Sequence, residues 1–304
     1  MRLMDISVVI CTRNRAASLD RVLASAAEMS VPDIAWELLI VDNGSGDDVG
    51  KVVDRYKSRL PLRLERQPEP GLSRARNCGV MSARGKHVIW TDDDVILDPQ
   101  WLVAYSEAFR LRPEAAVFGG KIVPVLEPPC TDWFQQNLAQ LWELVATRDF
   151  GPEEVPLSLA DGRVPFGANY AVRAIEQRQF PYDINLGAGT GTVGEETDVL
   201  RSVLESGHTG YWIPTATVYH IISPGRQTIE HIVHRYKAQG ATKIYLSRRH
   251  GHERTSMMML AARIAVTYII YVVARVFDLQ PFWIKRLKGY AFWMGALEER
   301  LRNG

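Results

Sequence analysis

The chain opens on an apolar run, Ile6-Ser7-Val8-Val9-Ile10, short enough for a strand and apolar enough to be buried on both faces. Polar Thr12 to Arg15 follows, and Leu19, Val22, Leu23 and Ala26 then recur at helical spacing over 18–29. A second apolar run, Leu38 to Val41, ends at Asp42-Asn43-Gly44-Ser45. The pattern next predicts a helix over 49–57, a strand over 62–65, a helix over 71–83 and a strand over 86–91. That last strand runs into Asp92, Asp93 and Asp94. Strands alternating with helices predict a mostly parallel sheet with helices on both faces. Ligands of such sheets sit beyond the carboxyl ends of the strands. Three polar clusters fall there, Thr12 to Arg15, Asp42 to Ser45 and Asp92 to Asp94, and their convergence predicts a nucleotide site.

The alternation breaks after Pro113. A strand is predicted over 117–125, carrying Gly119-Gly120, followed by an irregular stretch over 128–165 with a helix over 132–147. Phe166 to Tyr170 begins another short element. Val199, Leu200, Val203 and Leu204 mark the inward face of a helix over 195–205, with Gly207 past its end. Tyr211 to Tyr219 reads as a last strand, with His220 after it, and from Thr228 onward the pattern is helical. Along the apolar segment 257–277 and its flanks, Ser256, Arg263, Thr267, Tyr271, Ala274 and Asp278 share one arc of a 3.6-residue period. That amphipathicity argues for a helix lying on a surface rather than a simple membrane span. A second amphipathic helix is expected over 282–302, with Trp283, Leu287, Tyr290, Met294, Leu297 and Leu301 on one stripe.

Charge refines this division. The net charge of +1 conceals a basic last quarter: residues 225–304 hold 14 Lys and Arg against 5 Asp and Glu. Such a segment beside an acidic body suits phosphates, a membrane surface or the acidic body itself. Cys11, Cys78 and Cys130 are odd in number and lack metal-ligand spacing, which fits structural thiols in a reducing cytosol. The first apolar run is too short for a signal peptide, so a cytoplasmic location is expected. The basic segment has no recognisable nucleic-acid-reading module, so no nucleic-acid partner is expected.

The acid cluster carries the candidate chemistry. Strand alternation places Asp92 and Asp94 on one side, where two carboxylates suit Mg²⁺ or Mn²⁺ completed by substrate phosphates. An isolated acidic turn would by itself be more simply a solvated surface.

Five stretches together resemble the family 2 glycosyltransferases, which have the GT-A fold. They are Ser7 to Arg15, Val41 to Ser45, Gly71 to Gly79, Thr91 to Val95 and Gly194 to Asp198, in matching order and spacing over about 5–245. The resemblance implies an α/β GT-A fold, Rossmann-like, with a mostly parallel central sheet and a C-terminal helical tail. It implies inverting transfer of one sugar from a nucleoside diphosphate sugar to an acceptor hydroxyl, with Mn²⁺ or Mg²⁺. Donor binding then falls to Thr12, Arg13, Asn14, Arg15, Asp42, Arg76, Asn77, Asp92 and Asp93. Asp94, Asp92 and His220 become the metal ligands. Glu196 stands where the family has its catalytic Asp, with Glu195 or Asp198 as substitutes. The Q-x-x-R-W motif of processive synthases is absent, since Ile232 stands three residues before Arg235, which favours single-sugar transfer.

The expected domains are a catalytic segment 1–245, comprising a donor half 1–112 and an acceptor half 113–245, and an amphipathic tail 246–304. A glycan or lipid-linked acceptor is expected, in envelope or extracellular polysaccharide or glycolipid synthesis at the inner face of the cell membrane. The tail, through 256–302, would touch that membrane peripherally or form a homodimer. A nucleotidyltransferase is disfavoured because Thr12 to Arg15 contains no Gly. A non-catalytic nucleotide-sugar-binding or scaffold protein of the same fold is the alternative.

Overall fold

The buried apolar runs become the middle strands of a nine-stranded sheet in the computed structural model of the protein, which describes residues 4–252, 256–279 and 282–302. The elements in chain order are β1 (Ile6–Thr12), α1 (Ala16–Ala26), β2 (Trp36–Asp42), α2 (Val49–Tyr56), β3 (Leu62–Arg66), α3 (Leu72–Ser82), β4 (His87–Asp92) and β5 (Val95–Leu97). Then come α4 (Trp101–Leu111), β6 (Val117–Leu126), α5 (Asp132–Gln136), β7 (Val155–Pro156), β8 (Asn169–Arg173), α6 (Ala174–Gln179), α7 (Glu195–Glu205) and β9 (Gly210–Ile222). Three helices follow, α8 (Ile229–Arg249), α9 (Met257–Val276) and α10 (Phe282–Arg302).

The sheet order is β3-β2-β1-β4-β8-β6-β9-β5, with β7 added to β9. The four strands β3, β2, β1 and β4 are parallel. At β8 the sense reverses, because β8 pairs antiparallel with both β4 and β6. The expected Rossmann-like parallel half is therefore present, joined to an antiparallel half.

Two compact units divide the chain: 1–125 with 146–184 and 195–221, and 126–145 with 185–194 and 222–304. In the first, successive residues of one strand feed opposite faces of the sheet. Ile6, Val8 and Ile10 pack with Leu19, Leu23 and Val53 on one side. Val9, Val88 and Trp90 pack with Ala75, Val80, Val199 and Leu200 on the other. Burial on both faces explains why these strands read as continuous apolar runs. At the amino end of the sheet, buried Glu37 accepts from Ser7 Oγ at 2.7 Å and from Arg63 Nη1 at 2.6 Å, so its charge is satisfied within the core.

The second unit is built around Phe134, Leu141, Ile232, Tyr236, Trp283 and Leu287. Here α8 and α10 touch backbone to backbone: a Cβ at Gly240 would lie 1.8 Å from Phe292 O, and one at Gly295 would lie 1.9 Å from Lys237 O. Helix α9 runs antiparallel to α10, with Leu260 against Ala296 and Ala274 against Trp283 and Leu287.

Two expectations need correction. The helix expected over 132–147 stops at Gln136 and gives way to a 3₁₀ turn over Leu138–Leu141. The Asn137 amide donates back to Trp133 O at 2.7 Å, competing with the helix ladder. His220 lies inside β9, not after it. The apolar stripe on α10 runs from buried Trp283 and Leu287 through half-buried Tyr290, Met294 and Leu297 to exposed Leu301. The polar arc of α9 lies along α10, with exposed Arg263 stacked 4.4 Å over Trp293 and exposed Arg275 stacked 4.7 Å over Trp283. The expected tail includes 253–255, 280–281 and 303–304, which lie outside the described residues.

Candidate active site

The register of β1, β2 and β4 aligns their carboxyl ends, bringing Thr12 level with Asp42 and Cys11 level with Asp92. β4 ends at Asp92 and the chain turns through Asp93 and Asp94 before β5 begins at Val95. The turn sends the three carboxylates to different partners. Asp93 is buried, accepts from Thr12 Oγ1 at 2.7 Å and pairs with Arg15 Nη1 at 2.5 Å. Asp94 is also buried, pairs with Arg15 Nη2 at 2.9 Å and has its Oδ1 3.4 Å from His220 Nε2. The pairing of β5 with β9, Val95 opposite His220, brings that imidazole to the acid. Arg15 thus spans two buried carboxylates while remaining partly exposed. Burial pushes the Asp93 carboxyl up to about 7 against the opposing pull of Arg15. Burial lowers the Arg15 guanidinium, but Asp93 and Asp94 outweigh it and hold the group above its ordinary value.

Asp92 belongs to a second cluster. Its Oδ1 lies 3.7 Å from Arg76 Nη2, and Arg76 Nη1 meets Glu195 Oε1 at 2.6 Å and Glu196 Oε2 at 3.8 Å. Arg76 is 3% exposed, so its charge is neutralised by acids rather than by water. The helical period explains the acids' inward aim. Glu195 and Glu196 stand four residues before Val199 and Leu200, so the buried face of α7 continues into carboxylates at its first turn. Asp198, in the same turn, is half-buried.

The other expected donor residues are tied into loops. Asn77 clamps the backbone of Tyr182, donating to its carbonyl and accepting from its N–H, both at 2.8 Å. Asp42 Oδ1 accepts from Ser45 N at 2.9 Å, and Asn14 Oδ1 accepts from Gly46 N at 2.8 Å. Asn14 has φ 53°, a left-handed conformation that Asn tolerates. Arg13 is exposed. Cys11, Cys78 and Cys130 are free thiols, and burial pushes Cys11 and Cys78 up, away from reactivity.

Three residues around Arg76 were not singled out from the sequence. Tyr182 lies under the guanidinium, 5.6 Å from ring centre to Cζ, and its hydroxyl hydrogen-bonds that of Tyr170. A Cβ at Gly167 would meet Arg76 Nη2 at 2.8 Å and Glu196 Cδ at 3.5 Å, so only glycine lets this loop approach the cluster. The one signal for it was a Gly placed two residues before a short strand.

Among the described residues no three His, Cys, Asp or Glu side chains form a metal cage. The Asp94–His220 pair nevertheless fits a divalent cation. It offers one carboxylate oxygen and one imidazole nitrogen, and Mg²⁺ or Mn²⁺ ordinarily completes its shell with water and substrate phosphate.

A half-parallel sheet with polar Thr12 to Arg15, Asp42 and the acids Asp92 to Asp94 at the carboxyl ends of β1, β2 and β4 defines the GT-A architecture. Residues 7–137 match the family described as Glycosyl transferase family 2. It is 30% identical over 105 residues to the cholesterol galactosyltransferase of Borreliella burgdorferi, covering 34% of this chain and 29% of that protein. It is also 30% identical over 117 residues to the chondroitin synthase of Escherichia coli, covering 38% and 17%. The aligned stretches thus span well under half of these relatives. A mannosyltransferase from Pyrobaculum calidifontis, solved with GDP-Man and Mn²⁺, superposes with a TM-score of 0.63 at 16% identity, covering 100% of this chain and 88% of that one. Residues 1–349 of S. aureus TarS with UDP-GlcNAc superpose with a TM-score of 0.58 at 15% identity, covering 99% and 92%. These two establish a shared fold.

Proposed function

We propose that the chain is a metal-dependent, inverting glycosyltransferase that moves one sugar from a nucleoside diphosphate sugar to an acceptor hydroxyl. The acceptor is a glycan or lipid-linked intermediate of envelope polysaccharide or glycolipid synthesis, met at the inner face of the cell membrane. The observation that carries this reading is the pair of clusters at the end of β4, buried Asp94 with His220 and half-buried Asp92 with buried Arg76, Glu195 and Glu196. One cluster suits a cation and its diphosphate, and the other suits a proton acceptor.

A divalent cation held by Asp94 and His220 would neutralise the charge on the leaving diphosphate. Asp42, Thr12 and the Arg13–Arg15 loop hold the nucleoside side of the donor, and Asp92 and Asp93 border its sugar and phosphates. The acceptor oxygen attacks the anomeric carbon as the bond to the diphosphate breaks, and its proton passes to Glu196. Glu195, engaged with Arg76, orients the pair. In this reading 1–112 handles the donor and 113–245 the acceptor.

Asp94→Ala is expected to abolish Mn²⁺-dependent donor binding in calorimetry with the fold retained. Glu196→Gln is expected to keep donor affinity and lower turnover by about 10²–10⁴-fold. Glu195→Gln and Asp198→Asn are measured in parallel. If either loses more turnover than Glu196→Gln with an unchanged melting temperature, Glu196 is not the base. A loss in Glu195→Gln that comes with lowered stability reports instead the broken clamp on Arg76.

A further inference from the structure

Helix α9 is built inside out for a water-facing helix. Its polar arc packs against α10, with Thr267 near Gly289 and the two arginines stacked on Trp293 and Trp283. Its opposite face is apolar and uncovered. Met258, Val266, Ile269, Val273, Val276 and Phe277 are 51–85% exposed. The most apolar 18-residue stretch of α9 has a mean hydropathy of 1.9, and 11% of that stretch is buried. A continuous apolar face of this size on a soluble surface marks an interaction site.

We propose that α9 lies in the plane of a lipid bilayer with this face sunk among the acyl chains, making the protein monotopic. Three observations choose the bilayer over a second copy of the chain and over a membrane span. The first is composition: the hydropathy is that of a membrane helix, and the arginines that would oppose burial are turned onto tryptophans. The second is the rim. Exposed Arg249 and His250 lie at the end of α8 before α9, and exposed Lys285 lies on α10. Cations flanking an apolar face complement anionic headgroups. The third is the packing. α9 runs along α10, which bears Lys285, Arg286, Lys288, Glu298, Glu299 and Arg300, and α10 is locked to α8 at Gly240 and Gly295. To cross the membrane, α9 would have to leave α10 or draw these charges into hydrocarbon, which is costly.

The proposal deepens the reading of a membrane-presented acceptor and rests on it for its purpose, but its test reads lipid binding alone. The full-length protein is floated with phosphatidylcholine vesicles and with vesicles containing phosphatidylglycerol, at low and high salt. The expected result is flotation with both, stronger with the anionic lipid, and retained to a measurable degree at high salt because apolar burial is not screened. Ile269→Glu with Val273→Glu, both on the exposed face, should lower partitioning at least about tenfold while the melting temperature and the donor-induced thermal shift stay unchanged. Ser256→Cys and Asp278→Cys, placed at the two ends of α9, should label equally with an impermeant maleimide added outside the vesicles. Wild type that does not float overturns the proposal. So does protection of one end, which reports a span. Light scattering that shows a dimer dissolved by the Glu pair, without flotation of wild type, assigns the face to a second copy instead. A missing donor-induced shift in a protein that floats would count against the transferase reading alone.

Discussion

The Arg15 guanidinium bridges Asp93 and Asp94, and its position has a cost for any incoming cation. Removing it leaves buried carboxylates with less compensation, and at these separations a unit charge is worth several kcal/mol at an effective dielectric of about 20. Arg15→Ala is therefore expected to tighten Mn²⁺ binding in the absence of donor by about tenfold or more, read by paramagnetic resonance of the free ion. Unchanged or weaker metal affinity would show that Arg15 does not compete. His87 gives a second residue-scale prediction. It stacks 3.9 Å over Phe109, and burial, with Arg173 nearby, holds its pKa down at about 4. A histidine depressed in the folded state binds fewer protons than in the unfolded chain, so stability is full above about 6.5 and is lost as pH falls toward 4. The shift corresponds to a loss on the order of 3 kcal/mol. Denaturation midpoints of His87→Phe should lose that share of the slope between pH 6.5 and 4, and equal slopes would sink the assignment. The sequence marked Arg15 and the acids but not this arrangement, because which carboxylate each cation meets depends on the turn at Asp93 and Asp94.

Among the elements, α7 was legible to the residue, because its inward face, its terminal acids and Gly207 all agree. The parallel strands were legible for the same reason: burial on both faces leaves an unbroken apolar signature. α5 was not legible, since a single Asn137 side chain, hydrogen-bonded four residues back, outweighs an apolar spacing that continues to Val145. In α9 the period gave the helix but not its orientation, because a tryptophan face on α10 accepts arginine as readily as leucine. The α8–α10 crossing makes its own prediction. Gly240→Ala must push apart a pair of backbones that leave no room for a methyl group, and should cost about 1–3 kcal/mol of stability. Gly50→Ala, in α2 with nothing within 4 Å of the new Cβ, should be neutral or stabilising by roughly 0.5–1 kcal/mol. Urea midpoints that fall equally for both would show that the contact is not tight.

At the scale of the whole molecule, the family match ends at residue 137, yet the proposed base and the histidine of the metal pair come from 195–220. The chain builds its first unit in three instalments, interrupted by two segments of the second. This has a consequence for how the protein is made. β4 carries fully buried Val88 and Ile89 and nearly buried Trp90, and its outer edge is satisfied only by β8, more than eighty residues later in the chain. While the ribosome is still synthesising that interval, the nascent parallel half presents a long apolar strand with unpaired backbone groups. Such an edge invites pairing with another chain, and contacts this distant in sequence close slowly. Expression of this protein should therefore depend on translation rate and on chaperones that shield strand edges, more than its folded stability alone would suggest.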